Sequence, residues 1–248
     1  MQTISINFIV PQGWHELSDK QLRYVYQLLA QNFTSDEVKT LCLLHWTGTK
    51  VIGKQNGDGY LLRKGKFLFE VTPLTLAELL PNLDWLGSLP TSPTRPVKLK
   101  HRLGIAADFD EVPFEQYIIV DNLYQGYLQT QDDTLLDEIA SVVYPGIKTP
   151  LAADERIAIF YWVASLKSSL ASRYPDFFQP ADTVATGNLL GSPSLSVEAA
   201  MNAQIRALTK GDVTKEAEVL ALDTHRALTE LNAQAREYKQ LNSQLNKK

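Results

Sequence analysis

The sequence has little of what most catalytic and metal-binding sites are built from. It contains one cysteine, Cys42, and four histidines, His15, His45, His101 and His225. A single cysteine excludes an intrachain disulfide framework and a cysteine-based zinc site, and the histidines are too widely separated for an H-x-x-x-H pair. A glycine-rich phosphate loop, a dinucleotide fingerprint and a serine elbow are also missing. We therefore predict no catalytic, cofactor-binding or metal-binding residue, and a protein that is not an enzyme.

Long apolar runs are missing as well. No stretch approaches the 18 or so apolar residues that a membrane-spanning helix needs, so we expect no contact with a membrane. The first residues carry neither a basic segment nor an apolar core of the signal-peptide type, which favours the cytoplasm. Hydrophobic residues make up 44% of the chain and charged residues 21%, as in ordinary globular proteins. The sequence therefore predicts a folded protein with a substantial core.

Two small groups of side chains could carry chemistry, but each has a simpler structural interpretation. Cys42 and His45 would lie on the same side of a helix, where a base can activate a thiol. A core thiol beside a packed imidazole explains the same spacing. Asp108, Asp110 and Glu111 form an acidic cluster without the glycine and the distal glutamate of a calcium loop. We interpret that cluster as a solvated loop.

Charge is distributed unevenly along the chain. Residues 1–103 carry 12 basic and 8 acidic side chains, whereas residues 104–156 carry 2 basic and 11 acidic ones. The acidic block faces water, pairs with the basic N-terminal region or forms a docking face for a basic partner.

A basic run lies just ahead of the acidic block and leaves a second question open. Contact of this run with phosphates would make the protein nucleic-acid-associated, whereas pairing with the adjacent acidic block would not. Nucleic acid is not the expected partner, because the chain carries a net charge of −4. The run consists of Arg95, Lys98, Lys100, His101 and Arg102.

Periodicity and turn residues divide the chain into an α+β, mainly helical fold. Two N-terminal helices, capped by Ser18 and Ser35, follow a short strand at residues 3–10. The period then changes to two around Asn56-Gly57 and Lys64-Gly65, which predicts a small antiparallel meander. The predicted segments are an α+β unit at 1–86, a linker at 87–96, a helical unit at 97–180, a flexible connector at 181–196 and a C-terminal helical arm at 197–248.

The most distinctive segment is the last one. Val213–Asn246 contains no glycine or proline and is rich in helix formers, so it predicts a single helix about 50 Å long, capped by Asp212. Its apolar residues recur at alternating spacings of three and four, as in a weak coiled coil. His225 should be exposed on this helix.

A mostly polar helix of this length needs a surface to pack on, because its stability comes largely from its apolar face. That surface can be the rest of the chain, a second copy or another protein. We predict that the apolar stripe contacts a protein partner, and the predicted partner-binding residues are Leu220, Leu228, Leu231, Tyr238 and Leu241.

Three stretches carry a resemblance to a protein family. They are PQGWHELSDKQLRYVYQLLA near the N-terminus, DNLYQGYLQTQDDTLLDEIA at residues 121–140 and the segment MNAQIRALTKGDVTKEAEVLALDTHRALTELNAQAREY at 201–238. Together they resemble a family without an established activity from phage-like or prophage regions of Bacteroidetes. The resemblance implies an assembly or structural role, similar in style to tail-assembly chaperones, in the host cytoplasm or in the virion.

These features combine into one functional prediction and one alternative. We predict a non-enzymatic phage assembly or structural protein that binds a protein partner through its C-terminal helix. The alternative is a nucleic-acid-associated protein that uses the basic run at residues 95–102.

Overall fold

The computed structural model describes residues 8–54, 58–178 and 197–245, with only the backbone described at 197–200. The described fold is 62% helical and 10% strand, which confirms the predicted α+β, mainly helical class. The chain forms two compact units. The first holds the described residues up to Pro90 together with Thr94–Pro96 and Ala152–Ala158, and the second holds Thr91–Pro93, Val97–Leu151 and the described residues from Ile159 onward.

The first unit begins with two helices that are fixed by local capping. The Ser18 hydroxyl accepts a hydrogen bond from the Gln21 backbone N–H, and the Gln21 side-chain carbonyl accepts one from the Ser18 backbone N–H. Thr34 and Glu37 form the same capping box one helix later, so the second cap is Thr34 and not Ser35. The elements of this unit are α1 (Asp19–Leu29), α2 (Ser35–Trp46), β1 (Thr49–Lys54), β2 (Tyr60–Lys64), β3 (Phe67–Val71), α3 (Pro73–Leu79) and a 3₁₀ segment (Leu80–Gly87).

The three strands form the predicted antiparallel meander in chain order. β2 and β3 are joined at Gly65, whose φ of 59° is the left-handed conformation that a tight hairpin turn requires. Between β1 and β2 the register shifts after Val51, so that Ile52 is an extra residue in a bulge. Of the strand predicted at residues 3–10, residues 3–7 lie outside the described residues, and residues 8–10 do not form a strand.

The second unit is a helical assembly around one large apolar core. Trp162 is completely buried at its centre, and its indole N–H donates to the Ala107 carbonyl at 2.8 Å. The elements are β4 (Lys98–Leu99), β5 (Arg102–Leu103), α4 (Phe114–Thr130), α5 (Asp133–Val143), α6 (Ala153–Arg173, from Ile159 onward), α7 (Pro175–Phe178), α8 (Val197–Thr209), α9 (Glu216–Leu220) and α10 (Thr224–Leu245).

The prediction of one uninterrupted helix over Val213–Asn246 is wrong. A 3₁₀ turn and the short α9 precede a break at residues 221–223, and α10 starts only at Thr224. At the break, the Thr224 N–H and hydroxyl donate to the Val112 carbonyl at 2.9 and 2.7 Å, and the Phe114 N–H donates to the Leu222 carbonyl at 2.8 Å. These contacts with a distant segment replace the hydrogen bonds that a continuous helix would make.

The segment predicted as a C-terminal arm belongs to the second unit, where the first two turns of α10 are part of the core. Leu228 is completely buried and Leu231 is 4% exposed. The chain passes from one unit to the other within residues 90–97 and again at both ends of Ala152–Ala158. The linker predicted at residues 87–96 stays a prediction. The connector predicted at 181–196 lies outside the described residues.

The burial of Leu228 predicts a large stability difference between two leucines of α10. Leu228→Ala should lower the free energy of unfolding by about 2–5 kcal/mol, because it leaves a cavity in the core. Leu241→Ala, at a side chain that is 60% exposed, should change it by less than about 0.5 kcal/mol. Urea denaturation of the whole chain measures both. Equal losses for the two variants would contradict the burial described above.

Candidate protein-binding site

The C-terminal part of α10 leaves the core, and most of its side chains are exposed to solvent. From Arg236 to Leu241 every residue is exposed, and of the last four helical residues only Asn242 is half-buried. Tyr238, Leu241 and Leu245 nevertheless have apolar side chains, which are 56%, 60% and 69% exposed. Their spacing of three and four residues places all three on one face.

This exposed stripe continues the face that is buried further up the same helix. Ala227 and Leu231 are buried, and Gln234 is half-buried on the same line. Steps of four and three residues lead from Ala227 through Leu231 to the exposed stripe, so the direction of the face is preserved along the helix. The apolar face of α10 is therefore covered by the second unit at its beginning and open to solvent at its end.

Polar contacts with α7 hold the middle of α10 in place. The Asn232 side-chain carbonyl accepts the N–H groups of Asp176 and Phe177 at 2.9 and 3.1 Å. The Asp176 carboxylate in turn accepts from Arg236 at 2.8 Å and from Lys239 at 3.4 Å. The hydrogen bond from Arg236, with a smaller one from Lys239, lowers the pKa of Asp176 below its ordinary value. These contacts fix the direction in which the exposed part leaves the unit.

The structure separates the predicted partner-binding residues into two groups. Leu228 and Leu231 belong to the core and Leu220 is half-buried, so these three side chains stabilise the unit. Tyr238 and Leu241 are exposed and remain candidates for partner contact. Leu245 joins them on the same face, and the heptad spacing of the sequence already indicated it.

A groove lies beside the first turns of α10. It encloses about 430 Å³ and is open to solvent. Apolar side chains of α8 and α9 meet Arg226 and Glu230, which are four residues apart on α10 and carry opposite charges. The groove lies on a different side of α10 from the exposed stripe, so it does not extend the candidate surface. Its lining consists of Leu208, Val219, Leu222, Arg226, Thr229 and Glu230.

The cysteine and histidine candidates have structural roles. Cys42 is completely buried, and this burial raises the pKa of its thiol to about 12. His45, predicted to pack in the core, is instead exposed and stacks on Tyr24 with ring centroids 3.9 Å apart. The imidazole therefore packs against a neighbouring ring at the surface and does not lie in the core. These positions do not support an activated nucleophile at Cys42.

His225 is half-buried, which corrects the prediction that it is exposed. Its Nε2 lies 2.9 Å from the Asp108 carbonyl, and its Nδ1 lies 2.9 Å from the Tyr174 hydroxyl. Because a carbonyl only accepts, Nε2 carries the proton. The break before Thr224 brings this ring to the Asp108 loop, where its two nitrogens link α10 to that loop and to Tyr174.

The acidic cluster forms a tight turn. Phe109 and Glu111 have φ angles of 65° and 55°, and the Phe109 ring is completely buried. The turn therefore inserts an aromatic ring into the core while Asp108 and Asp110 face solvent. Among the residues that the structure describes, no group of three or more potential metal ligands comes together, here or elsewhere.

The basic run is dispersed by the fold. Arg95 is only 7% exposed and belongs to the first unit, whereas the remainder of the run lies in the second. In the turn between β4 and β5, the Lys100 ammonium donates to the carbonyls of Lys148 and Pro150 at 3.1 and 2.7 Å. Two of its four lysine and arginine side chains, Arg95 and Lys100, are thus buried or bonded within the protein, which weakens the alternative that this run binds nucleic acid.

None of the protein-family models, curated proteins or solved structures compared with this chain matches it. The resemblance to a phage-associated family therefore stays a prediction. Among the described helices, none has both the length and the apolar character that crossing a bilayer requires.

Removal of the Asp176 carboxylate should loosen the exposed part of α10. Asp176→Asn loses the charge that holds Arg236 and Lys239, so hydrogen exchange by mass spectrometry should show faster uptake at residues 236–245. Because the folded pKa of Asp176 is lowered, its contribution is present above the unfolded pKa of about 3.9 and is lost as pH falls through the folded value. The difference in uptake between Asp176→Asn and the parent should therefore disappear as pH falls through the folded pKa of Asp176. Glu237→Gln is the control, and equal uptake in both variants at neutral pH would refute the anchoring role.

The raised pKa of Cys42 predicts an inert thiol. At pH 8 a thiol with a pKa of about 12 is ionised about a thousandfold or more less than an ordinary one, and only the thiolate reacts. Alkylation by iodoacetamide should therefore be slower by at least that factor in the folded protein than in the same protein unfolded in urea. Similar rates in the two states would mean that the thiol is accessible and would reopen the question of a nucleophile.

Proposed function

We propose that this protein is a non-enzymatic binding protein that engages a protein partner through the exposed C-terminal part of α10. The observation that carries the proposal is the continuous apolar face of this helix. Its first turns are buried in the core, whereas Tyr238, Leu241 and Leu245 continue the same face into solvent. A partner that packs against these side chains would extend the core along the helix.

The geometry favours a particular kind of partner. The exposed part spans about ten residues, or roughly 15 Å, and offers an apolar stripe on a polar helix. Such a helix binds by laying its stripe into an apolar groove, with side chains at three- and four-residue spacings as anchors. We therefore propose a partner with a groove or with paired helices that enclose the end of α10.

A second copy of the chain fits this surface less well. A stable specific interface buries at least about 1,200 Å² in total, and a parallel pair of such short ends offers only three apolar side chains from each chain. A partner that surrounds the helix can bury much more of it. We therefore favour binding of a different protein over self-association.

The more specific part of the proposal is a role in phage assembly or in the virion, in the manner of a tail-assembly chaperone. It depends on the family resemblance of the sequence. An exposed helical end that packs against a partner is compatible with such a role.

The test replaces the exposed stripe without touching the core. The triple variant Tyr238→Ala, Leu241→Ala, Leu245→Ala should lose the partner, because it removes all three anchors. The control Gln240→Ala, Ser243→Ala, Gln244→Ala changes the opposite side of the same turns and should keep it. Deletion of all residues from 212 onward would be uninformative, since it also removes the buried Leu228.

The measurement has two stages. Affinity purification from phage-producing cells identifies proteins that the parent and the control retain and the triple variant loses. Each such protein is then purified and titrated calorimetrically, where we expect the triple variant to bind at least about a hundredfold more weakly than the parent. Equal binding by the triple variant and the control would overturn the proposal, and light scattering tests self-association separately.

A further inference from the structure

The three-stranded sheet of the first unit carries an unusual concentration of positive charge. Between residues 49 and 71 there are five basic side chains and two acidic ones, Asp58 and Glu70. Four of the five basic residues are exposed, and Lys64 is half-buried. The basic residues are Lys50, Lys54, Arg63, Lys64 and Lys66.

Most of these cations are not neutralised within the protein. Elsewhere in the first unit cations do pair, as Arg23 does with Asp19 at 2.8 Å and Lys39 with Asp84 at 2.6 Å. Within the described part of the chain, the four exposed cations of the sheet form no ion pair with a carboxylate. Lys50 and Arg63 lie opposite each other on one face of the sheet, whereas Lys54 lies on the other face. On that second face Lys54 and the turn residue Lys66 form no ion pair with a described carboxylate, so an anionic ligand would be attracted to them.

Exposed aromatic rings lie beside these cations in a regular arrangement. Tyr60 and Phe67 are 42% and 40% exposed on the same face of the sheet. Each has a lysine directly opposite on a neighbouring strand, because the register pairs Tyr60 with Lys54 and Phe67 with Lys64. Lys66 adds a second cation 5.6 Å from the Phe67 ring centre. Each exposed ring is therefore accompanied by at least one ammonium group.

The two ring-and-lysine pairs lie at opposite ends of β2. Four residues separate their rows along the strand, or about 14 Å. The side chains between them do not form an open apolar platform, because Leu62 in the middle is only 6% exposed. The surface thus offers two separate stacking positions with positive charge around each of them.

From this arrangement we propose that the β1–β2–β3 sheet binds single-stranded nucleic acid. Unpaired bases stack on exposed aromatic rings, and lysines beside the rings contact the flanking phosphates. A duplex keeps its bases inside the stack and would leave Tyr60 and Phe67 without a role. An acidic protein segment would use the lysines but has no need of a ring beside each one. This surface is separate from the basic run at residues 95–102, and the inference does not rest on the proposed function of α10.

The probe is a fluorescein-labelled twelve-nucleotide oligothymidine, titrated with the full chain and followed by fluorescence anisotropy at low salt. We expect binding that weakens with added sodium chloride. About four phosphate contacts predict a slope of about −3 for the logarithm of the binding constant against the logarithm of salt concentration. No detectable binding at 20 mM salt or below would overturn the proposal.

Two sets of variants separate the contribution of charge from that of stacking. Lys54→Gln with Lys64→Gln and Lys66→Gln should weaken binding at least about tenfold and make the salt slope shallower. Tyr60→Leu with Phe67→Leu should weaken binding about tenfold or more while leaving the slope unchanged, because no charge is removed. Lys98→Gln with His101→Gln, in the β4–β5 hairpin, is the matched control and should bind like the parent. Circular dichroism verifies that each variant is folded.

Competition distinguishes the proposed ligand from other polyanions. Unlabelled oligothymidine should displace the probe at much lower concentration than an equally charged polyglutamate or a blunt duplex. If polyglutamate competes equally, or if loss of both rings has no effect, the sheet is a general anion-binding surface and the proposal fails. If the duplex competes better than the single strand, it fails in favour of backbone recognition.

Discussion

The pairing between residues 112–114 and 222–224 is the constraint on which the second unit depends. Two backbone hydrogen bonds and one from the Thr224 hydroxyl join segments more than a hundred residues apart, and the Thr224 side chain is completely buried among them. Buried polar groups of this kind are costly to leave unpaired, so the pairing is made or lost as a whole. It fixes the starting points of both α4 and α10.

This constraint decides how the apolar face of α10 is used. Because the helix starts at Thr224 and not at Val213, its first two turns meet the core, with Leu228 and Leu231 buried. The remaining turns extend past α7, to which Asp176 and Asn232 attach them. The face of this one helix is therefore divided between stabilising the unit and presenting apolar side chains to solvent, and the proposed binding function follows from that division.

The fold also decides which basic side chains are bonded within the protein and which remain exposed. Lys100 and Arg95 look available in the sequence, but the fold uses Lys100 to satisfy backbone carbonyls and buries Arg95. Lys54, Lys64 and Lys66 look ordinary in the sequence, yet a small sheet brings them together with exposed rings. The position of cations along the chain is thus a poor guide to the electrostatic surface that they form.

Features that depend on residues close together in the chain could be predicted from the sequence, whereas contacts between distant segments could not. The capping of α1, the tight turn at Gly65, the helical pattern of the middle segment and the buried Cys42 follow from residues within a few positions of each other, which is the range over which caps, turns and periodicity act. The break before Thr224, the hydrogen bonds of His225 and the exposure of Tyr238 depend on segments far away in the chain. Helix propensity over residues 213–246 amounts to a weak preference at each position, and a few buried hydrogen bonds to Val112 and Phe114 outweigh it locally. The sequence by itself determined which helices and strands form, whereas only the tertiary structure decided where the last helix starts and which of its apolar residues remain outside the core.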